Sequence, residues 1–242
     1  MDVKELERMI RQHEAGIDMA VSAAFPALMR KVYVWMTLAL VLSGVTAYGV
    51  ATSPNLLALI ANNSFVMWGL LLGELGLVLA INAGINKMSL TTATLLFALF
   101  SILNGATLSF IFLAYAMTTI AKVFFITAGT FAATAIYGYT TKRDLTKLGG
   151  LLTMGLIGLI IASLVNVFLV KSTGFDLIVS YIGVLIFVGL TAWDSQRIKV
   201  MMAQAEDLSE RSQKLAVLGA MSLYLDFINL FLYLLRIFGN RE

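Results

Sequence analysis

The sequence lacks cysteine entirely and has a single histidine, His13. Without cysteine the chain has no disulfide bonds, thiolate nucleophiles or cysteine-based metal sites. One histidine, in a charged N-terminal segment, supports neither a His-Glu-x-x-His zinc motif nor a serine–histidine pair. A glycine-rich phosphate loop followed by Lys-Ser or Lys-Thr is also missing. These absences argue against the common hydrolase and nucleotide-binding classes, and we predict neither enzyme activity nor a cofactor.

Charge and proline are also scarce. Only 13% of the 242 residues are charged, against 60% hydrophobic, whereas soluble domains carry about a quarter charged residues. So much apolar surface cannot be hidden in a soluble globule, which indicates a chain surrounded by membrane lipids. With only two prolines, the chain is largely free to be helical. The lysines and arginines are spread along the flanks of apolar runs, which argues against nucleic-acid binding.

Seven apolar runs are long enough to cross a bilayer, which takes about 20 residues of helix. The sequence therefore predicts an all-α integral membrane protein with seven transmembrane helices in one domain, residues 30–242. A charged cytoplasmic tail, residues 1–29, precedes this domain and lacks the apolar core of a signal peptide; within it, His13 is predicted to be solvated. The predicted spans are 32–52, 65–85, 92–116, 122–141, 149–170, 176–197 and 215–236.

The distribution of lysine and arginine predicts a cytoplasmic N-terminus. With that orientation only four of the 17 basic residues lie on the outer side, namely Lys122, Lys171, Arg236 and Arg241. Seven crossings place Arg236 and Arg241 on this less basic side. A re-entrant last segment is the alternative that removes the anomaly.

Three acids lie in or near apolar spans: Glu74, Asp194 and Asp226. An ionisable group in a membrane costs several kcal/mol unless it is paired or hydrated, so each acid is a candidate functional residue. For each, the alternative is a structural role, such as a protonated acid that hydrogen-bonds between helices.

The stretch "SLYLDFINLFLYLL", residues 222–235, places Asp226 in a polar stripe. On a helix Ser222, Asp226, Asn229 and Tyr233 fall at i, i+4, i+7 and i+11, which is one face. A polar stripe on an apolar helix faces protein or a water-filled cavity rather than lipid. These residues are therefore predicted to support a site around Asp226.

Asp194 and Asp226 lie on consecutive, antiparallel spans. If they meet, two carboxyls at hydrogen-bonding distance cannot both ionise cheaply, so the pair shares a proton and acts as a pH switch. The pair also offers the oxygen ligands that calcium prefers, and Arg197, three residues after Asp194, favours its ionised form. The predicted spans place the two aspartates at different depths in the membrane. Counted from residue 215, the start of the seventh span, Asp226 lies about 16 Å along the helix, whereas Asp194 is near the end of the sixth span. Contact therefore requires a later start of the seventh helix or a bend in the sixth.

Four stretches resemble the bacterial branch of the Bax inhibitor family, the transmembrane Bax inhibitor motif proteins. They are "ELGLVLAINAGINKMSLTTA" (74–93), "YGYTTKRDLTKLGG" (137–150), "LTAWDSQRIK" (190–199) and "SLYLDFINLFLYLLRIFG" (222–239). The similarity runs from about residue 30 to residue 239. It implies a central last helix wrapped by the other six, and a location in the bacterial inner membrane.

The resemblance also implies a pH-sensitive calcium leak whose two-aspartate sensor matches Asp194 and Asp226. The family has a basic residue on the second helix that latches the sixth-helix aspartate. This chain has no arginine there. Lys87 at the end of that span, or Arg197, is the candidate replacement.

The leading hypothesis is thus a calcium leak channel that the protonated pair holds closed, with calcium as a transient, permeant ion on the two aspartates. An alternative is a non-conducting regulator that binds a membrane protease or another membrane protein through the charged tail. A further alternative is an intramembrane aspartyl protease, which also needs two aspartates on adjacent spans. Against it, Leu223-Tyr224-Leu225 precedes Asp226 in place of Gly-x-Gly, and Pro-Ala-Leu stands at 26–28, before both aspartates.

Overall fold

The structure, a computed structural model, describes the backbone of residues 3–205 and 207–239 and the side chains of residues 23–205 and 207–239. The predictions for the side chains of His13 and Arg241 and for contacts of the tail lie outside the described side chains. The described residues form helices and no strands. The helices are α1 Val3–Ala51, α2 Pro54–Ala61, α3 Ser64–Gly84, α4 Leu90–Leu108, α5 Ile111–Ala114, α6 Met117–Thr140, α7 Thr146–Val165, α8 Thr173–Ala203 and α9 Glu210–Phe238, with one π-helical turn, Asn166–Val170, at the end of α7.

Seven of these segments are long and apolar enough to cross a membrane, so the predicted all-α architecture is confirmed. They are Ala23–Ala51, Ser64–Gly84, Leu90–Ala114, Met117–Thr140, Thr146–Val170, Thr173–Ala203 and Glu210–Phe238. α1 runs without interruption through the predicted boundary at residue 30, so that boundary stays a prediction. α9 is one continuous helix of 29 residues, with no reversal of the kind that a re-entrant segment needs.

The short polar breaks between spans supply the groups that start the next helix. Side chains of Asn63, Ser89, Ser172 and Ser209 accept hydrogen bonds from the first free backbone N–H groups of α3, α4, α8 and α9. These residue types are preferred at helix starts because their oxygen replaces a missing backbone acceptor. The polar breaks thus supply helix starts, whereas α6, α8 and α9 each extend several residues beyond the predicted apolar spans.

The last helix is the core of the bundle, as predicted. In its most apolar stretch 67% of the residues are buried, compared with 6% in α3. α9 packs against α1, α4, α6 and α8, whereas α3 packs mainly on α4 and α7 mainly on α8. Four helices rather than six therefore surround α9 directly, and α3 and α7 form an outer layer.

The register of α8 against α9 removes the predicted difference in depth between the two aspartates. α8 continues to Ala203, six residues beyond the predicted end of the sixth span. Gly219 of α9 lies against Ile198 of α8, and further along Tyr233 stacks on Phe187. Asp194 and Asp226 fall between these two contacts, at the same level. Neither a bend nor a later helix start is needed, because the sixth helix is longer than its apolar run.

Candidate functional site

The carboxyl groups of Asp194 and Asp226 face one another between α8 and α9, within hydrogen-bonding reach. The two residues are only 8% and 5% exposed. Among the described residues, Oδ1 of Asp194 and Oδ2 of Asp226 have no hydrogen-bond partner. Two ionised carboxylates offer only acceptors to one another, and neither can donate to the other's unpartnered oxygen.

Arg197 lies at the edge of this pair. Its Nη1 is 3.7 Å from Oδ1 of Asp194, the only ion pair in the described part of the chain. That separation is too long for a hydrogen bond, and the Arg197 guanidinium carbon also sits 5.3 Å from the ring centroid of Trp193. Lys87, the other candidate for the basic latch, is exposed in the turn after α3. Arg197 is thus the base that the fold brings to Asp194, and 58% of its side chain is exposed.

The polar stripe of α9 faces a cavity of about 360 Å³, which we call the central cavity. All four stripe residues line it, together with Asp194 and Arg197 of α8. Apolar side chains of α7, including Leu156 and Ile160, form the opposite wall. The predicted supporting residues Ser222, Asn229 and Tyr233 therefore share a cavity with the aspartate pair.

Glu74 lies elsewhere, in a chain of hydrogen bonds that we call the Glu74 network. Its Oε2 accepts from Asn104 at 3.0 Å and its Oε1 accepts from Thr107 at 2.5 Å. Oδ1 of Asn104 accepts from the Tyr224 hydroxyl at 2.8 Å, and that hydroxyl is 2.7 Å from the Ser43 hydroxyl. Glu74 thus accepts hydrogen bonds from two side chains of α4, and the network joins α3, α4, α9 and α1.

The partners of Glu74 were not predicted from the sequence. Asn104 carried a signal, since it is the only amide in the apolar run 92–116. Tyr224 carried none, because a tyrosine in an apolar helix is equally compatible with a position facing lipid headgroups. In the structure Tyr224 is fully buried, and its ring makes edge contacts with Phe97 and Phe100.

Two of the motif segments, residues 137–150 and 190–199, are joined by hydrogen bonds beside the aspartate pair. The Gln196 side chain accepts from the backbone N–H of Leu145 at 2.8 Å and donates to the carbonyl of Arg143 at 2.7 Å. One turn on, Nζ of Lys199 donates to the carbonyl of Tyr139 at 2.8 Å. These bonds fasten the end of α6 and the loop between α6 and α7 to α8 beside Asp194.

In the described part of the chain no group of three or more His, Asp or Glu side chains is close enough to hold a metal ion. Calcium usually takes about six to eight oxygen ligands. Two aspartates can supply only part of such a shell.

The fold and the site define a multi-pass helical membrane protein with a buried pair of acids between its last two spans. Residues 26–242 match the family described as inhibitor of apoptosis-promoting Bax1. The chain is 48% identical over 221 residues to the inner membrane protein YbhL of Escherichia coli K12, covering 91% of this chain and 94% of that protein. It is also 48% identical over 214 residues to a Borreliella burgdorferi protein, covering 88% and 92% of the two chains. The chain therefore belongs to the Bax inhibitor family, and the relation to an inner membrane protein supports the same membrane for this one.

Proposed function

We propose that the protein is a pH-sensitive calcium leak channel in which the Asp194–Asp226 pair is the gate. The observation that carries the proposal is that two buried carboxyls face one another in one cavity, each with an oxygen that lacks a donor. A shared proton joins α8 to α9 across this gap. Loss of that proton leaves two like charges that repel, so the contact between the two helices weakens.

The same step prepares the cavity for a cation. Ionised Asp194 and Asp226 attract calcium, and Ser222 and Asn229, whose side chains carry oxygen ligands, line the same space. Arg197 favours ionisation of Asp194 from the edge of the cavity and thereby tunes the pH of opening. A cytoplasmic N-terminus, as expected from the charge distribution, places Arg197 near the cytoplasmic end.

The test is calcium flux into liposomes that contain the purified protein, at about pH 6 and about pH 8, where a shared proton can be lost. Wild type is compared with Asp194→Asn and Asp226→Asn, and with Asp207→Asn in the exposed α8–α9 loop as a matched control. Wild-type and control flux rise with pH. Both gate variants lose this rise, because asparagine supplies at every pH a donor that the wild type has only when protonated.

Absence of protein-dependent flux at either pH contradicts the leak and favours the non-conducting regulator. The observation that supports this second function is the helical extension Val3–Ser22, which continues α1 beyond its membrane span. Deleting residues 2–22 then abolishes capture of the membrane partner. If the protein cleaves a membrane peptide, and the cleavage requires both aspartates, the result contradicts the leak and the regulator and favours the intramembrane protease. The prediction that the protein is not an enzyme stands until that assay is done.

A further inference from the structure

Three cavities follow one face of α8. The central cavity shares Trp193 and Arg197 with a second cavity of about 400 Å³ that extends to Gln204, at the end of the bundle where α8 meets the α8–α9 loop. A third cavity, of about 390 Å³, lies at the opposite end of α8 and is called the far-end cavity. It is lined by Thr173, Gly174, Asp176, Leu177 and Ser180 of α8 and by Arg236 and Gly239 near the end of α9. Five of the α8 residues that line the three cavities recur every seven positions, which keeps them on one side of the helix: Thr173, Ser180, Phe187, Asp194 and Met201.

Tyr233 stands between the central cavity and the far-end cavity. Its ring stacks on Phe187, with centroids 5.8 Å apart and planes at 29°. The ring also covers Gly183, where an added Cβ would lie 2.8 Å from its carbon atoms. On the far-end side, the guanidinium carbon of Arg236 lies 5.5 Å from the ring centroid. Tyr233 lines the central cavity and Arg236 lines the far-end cavity, so the tyrosine ring is the boundary between them.

We infer that Tyr233 is a gate residue that closes the far end of the central cavity by stacking on Phe187 over Gly183. An ion or water molecule that approaches the aspartates from the far end must displace this ring. Constrictions built from apolar groups are a general way to stop ions in a pore. Arg236 lies directly outside the ring, and Asp176 lines the same far-end cavity, so the two opposite charges offset one another there. The gate lies about two helical turns from Asp226, in series with the aspartate pair.

The absence of cysteine from the chain makes the gate directly testable. Asn229→Cys places a unique thiol in the central cavity, one turn behind Tyr233, and Leu177→Cys places one in the far-end cavity. A charged, membrane-impermeant methanethiosulfonate is applied to membrane vesicles from the side on which Leu177→Cys is labelled. Asn229→Cys is expected to react at least about tenfold faster when Tyr233→Ala is added. Tyr233→Phe keeps the stacked ring and leaves the rate at the wild-type level.

A second variant disturbs the stacked ring while keeping the tyrosine. Gly183→Ala places a methyl group against the ring, so it displaces Tyr233 and also accelerates labelling of Asn229→Cys. An unchanged rate for Leu177→Cys in both backgrounds shows that the far-end cavity is intact. Equal labelling of Asn229→Cys with and without the ring, or a Tyr233→Phe variant as fast as Tyr233→Ala, overturns the inference.

The role of this gate in ion flow rests on the proposed leak, but the labelling does not. If wild-type liposomes conduct calcium, Tyr233→Ala raises the flux several-fold at about pH 8 and keeps its dependence on the aspartates. Ring-dependent labelling without any calcium flux supports the gate and contradicts the leak. Calcium flux together with ring-independent labelling supports the leak and overturns the gate.

Discussion

The Tyr224 hydroxyl donates a hydrogen bond to Oδ1 of Asn104 at 2.8 Å, and Asn104 in turn donates to Glu74. Tyr224 and Asp226 are two residues apart on α9, so they point to nearly opposite faces of that helix. One face is fastened to α1 and α4 by the Glu74 network, and the other meets α8 through the aspartate pair. In the proposed gate, loss of a proton at the pair weakens the α8–α9 contact while α9 stays attached to α1 and α4. We expect α8, with the outer helix α7, to move relative to the rest of the bundle.

Tyr224→Phe is predicted to destabilise the protein although the ring is retained. The change removes the hydroxyl that Asn104 accepts from and that lies beside Ser43. A buried polar group left without a partner costs about 1–3 kcal/mol. Thermal unfolding of the purified protein in detergent should show a melting temperature lowered by several degrees.

The matched control for this change is Tyr181→Phe, at a tyrosine that is 54% exposed on the outer surface of α8. It removes the same hydroxyl oxygen from an exposed side chain and leaves no buried partner unsatisfied, so the melting temperature should stay at the wild-type value. Equal melting temperatures for the two variants would show that the Glu74 network contributes nothing to the attachment of α9.

Arg197→Gln is predicted to shift the pH dependence of calcium flux to higher pH. The Arg197 charge lies 3.7 Å from Asp194 and favours the carboxylate form. Without this charge the pair keeps its shared proton to a higher pH, so the proposed leak opens at a higher pH. Flux measured in steps of half a pH unit should show the displacement. Arg197→Lys keeps the charge and serves as the control; an Arg197→Gln profile that overlays the wild type would remove Arg197 from the gating mechanism.

The sequence predicted the membrane spans well because span length and apolarity are local properties. Asp194, Asp226 and the stripe of Ser222, Asn229 and Tyr233 could also be predicted, since their spacing on one helix decides which face they share. Whether the aspartates meet could not, because it depends on where α8 ends. Residues 194–199, DSQRIK, are mostly polar or charged, so the apolar run stops before the helix does.

The Glu74 network could not be predicted from the sequence for a different reason. Its members are separated by up to 181 residues along the chain, and no periodic pattern links Ser43 to Tyr224. The stack of Tyr233 on Phe187 is similar: each residue is apolar or aromatic in an apolar span, and only the register of α8 on α9 brings them together. Long-range polar and aromatic contacts of this kind follow from packing, not from local spacing.

Asp144 is predicted to stabilise the start of α7 in a pH-dependent way. It lies in the α6–α7 loop, outside the spans, and hydrogen bonds from the side chain and then the backbone of Thr146 hold the pKa of its carboxyl below the ordinary value. A lowered pKa in the folded state means that the stabilisation is present above the unfolded pKa of about 3.9. It is lost as pH falls through the lowered folded value.

Asp144→Ala should therefore lower the melting temperature at about pH 7 by more than it does in acid, below about pH 3.9. Asp144→Asn is the control, because its amide oxygen still accepts from the Thr146 N–H, at 2.9 Å in the wild type, and does not titrate. Its smaller deficit should be the same at every pH. A constant deficit for Asp144→Ala across this range would contradict a role for the ionised carboxylate.

Gly138→Ala is predicted to separate α6 from α8 close to the aspartate pair. A Cβ at Gly138 would overlap the backbone carbonyl of Ala192, which cannot turn aside as a flexible side chain would. Such overpacking typically costs about 1–3 kcal/mol.

Gly129 in the same helix is the matched control, because nothing lies within 4 Å of a Cβ added there. Gly129→Ala should instead gain about 0.5–1 kcal/mol from the better helix propensity of alanine. Thermal unfolding in detergent should thus move in opposite directions for the two variants. Equal shifts would mean that α6 and α8 can part at Ala192 without loss, and that the close contact beside Asp194 is not held by packing.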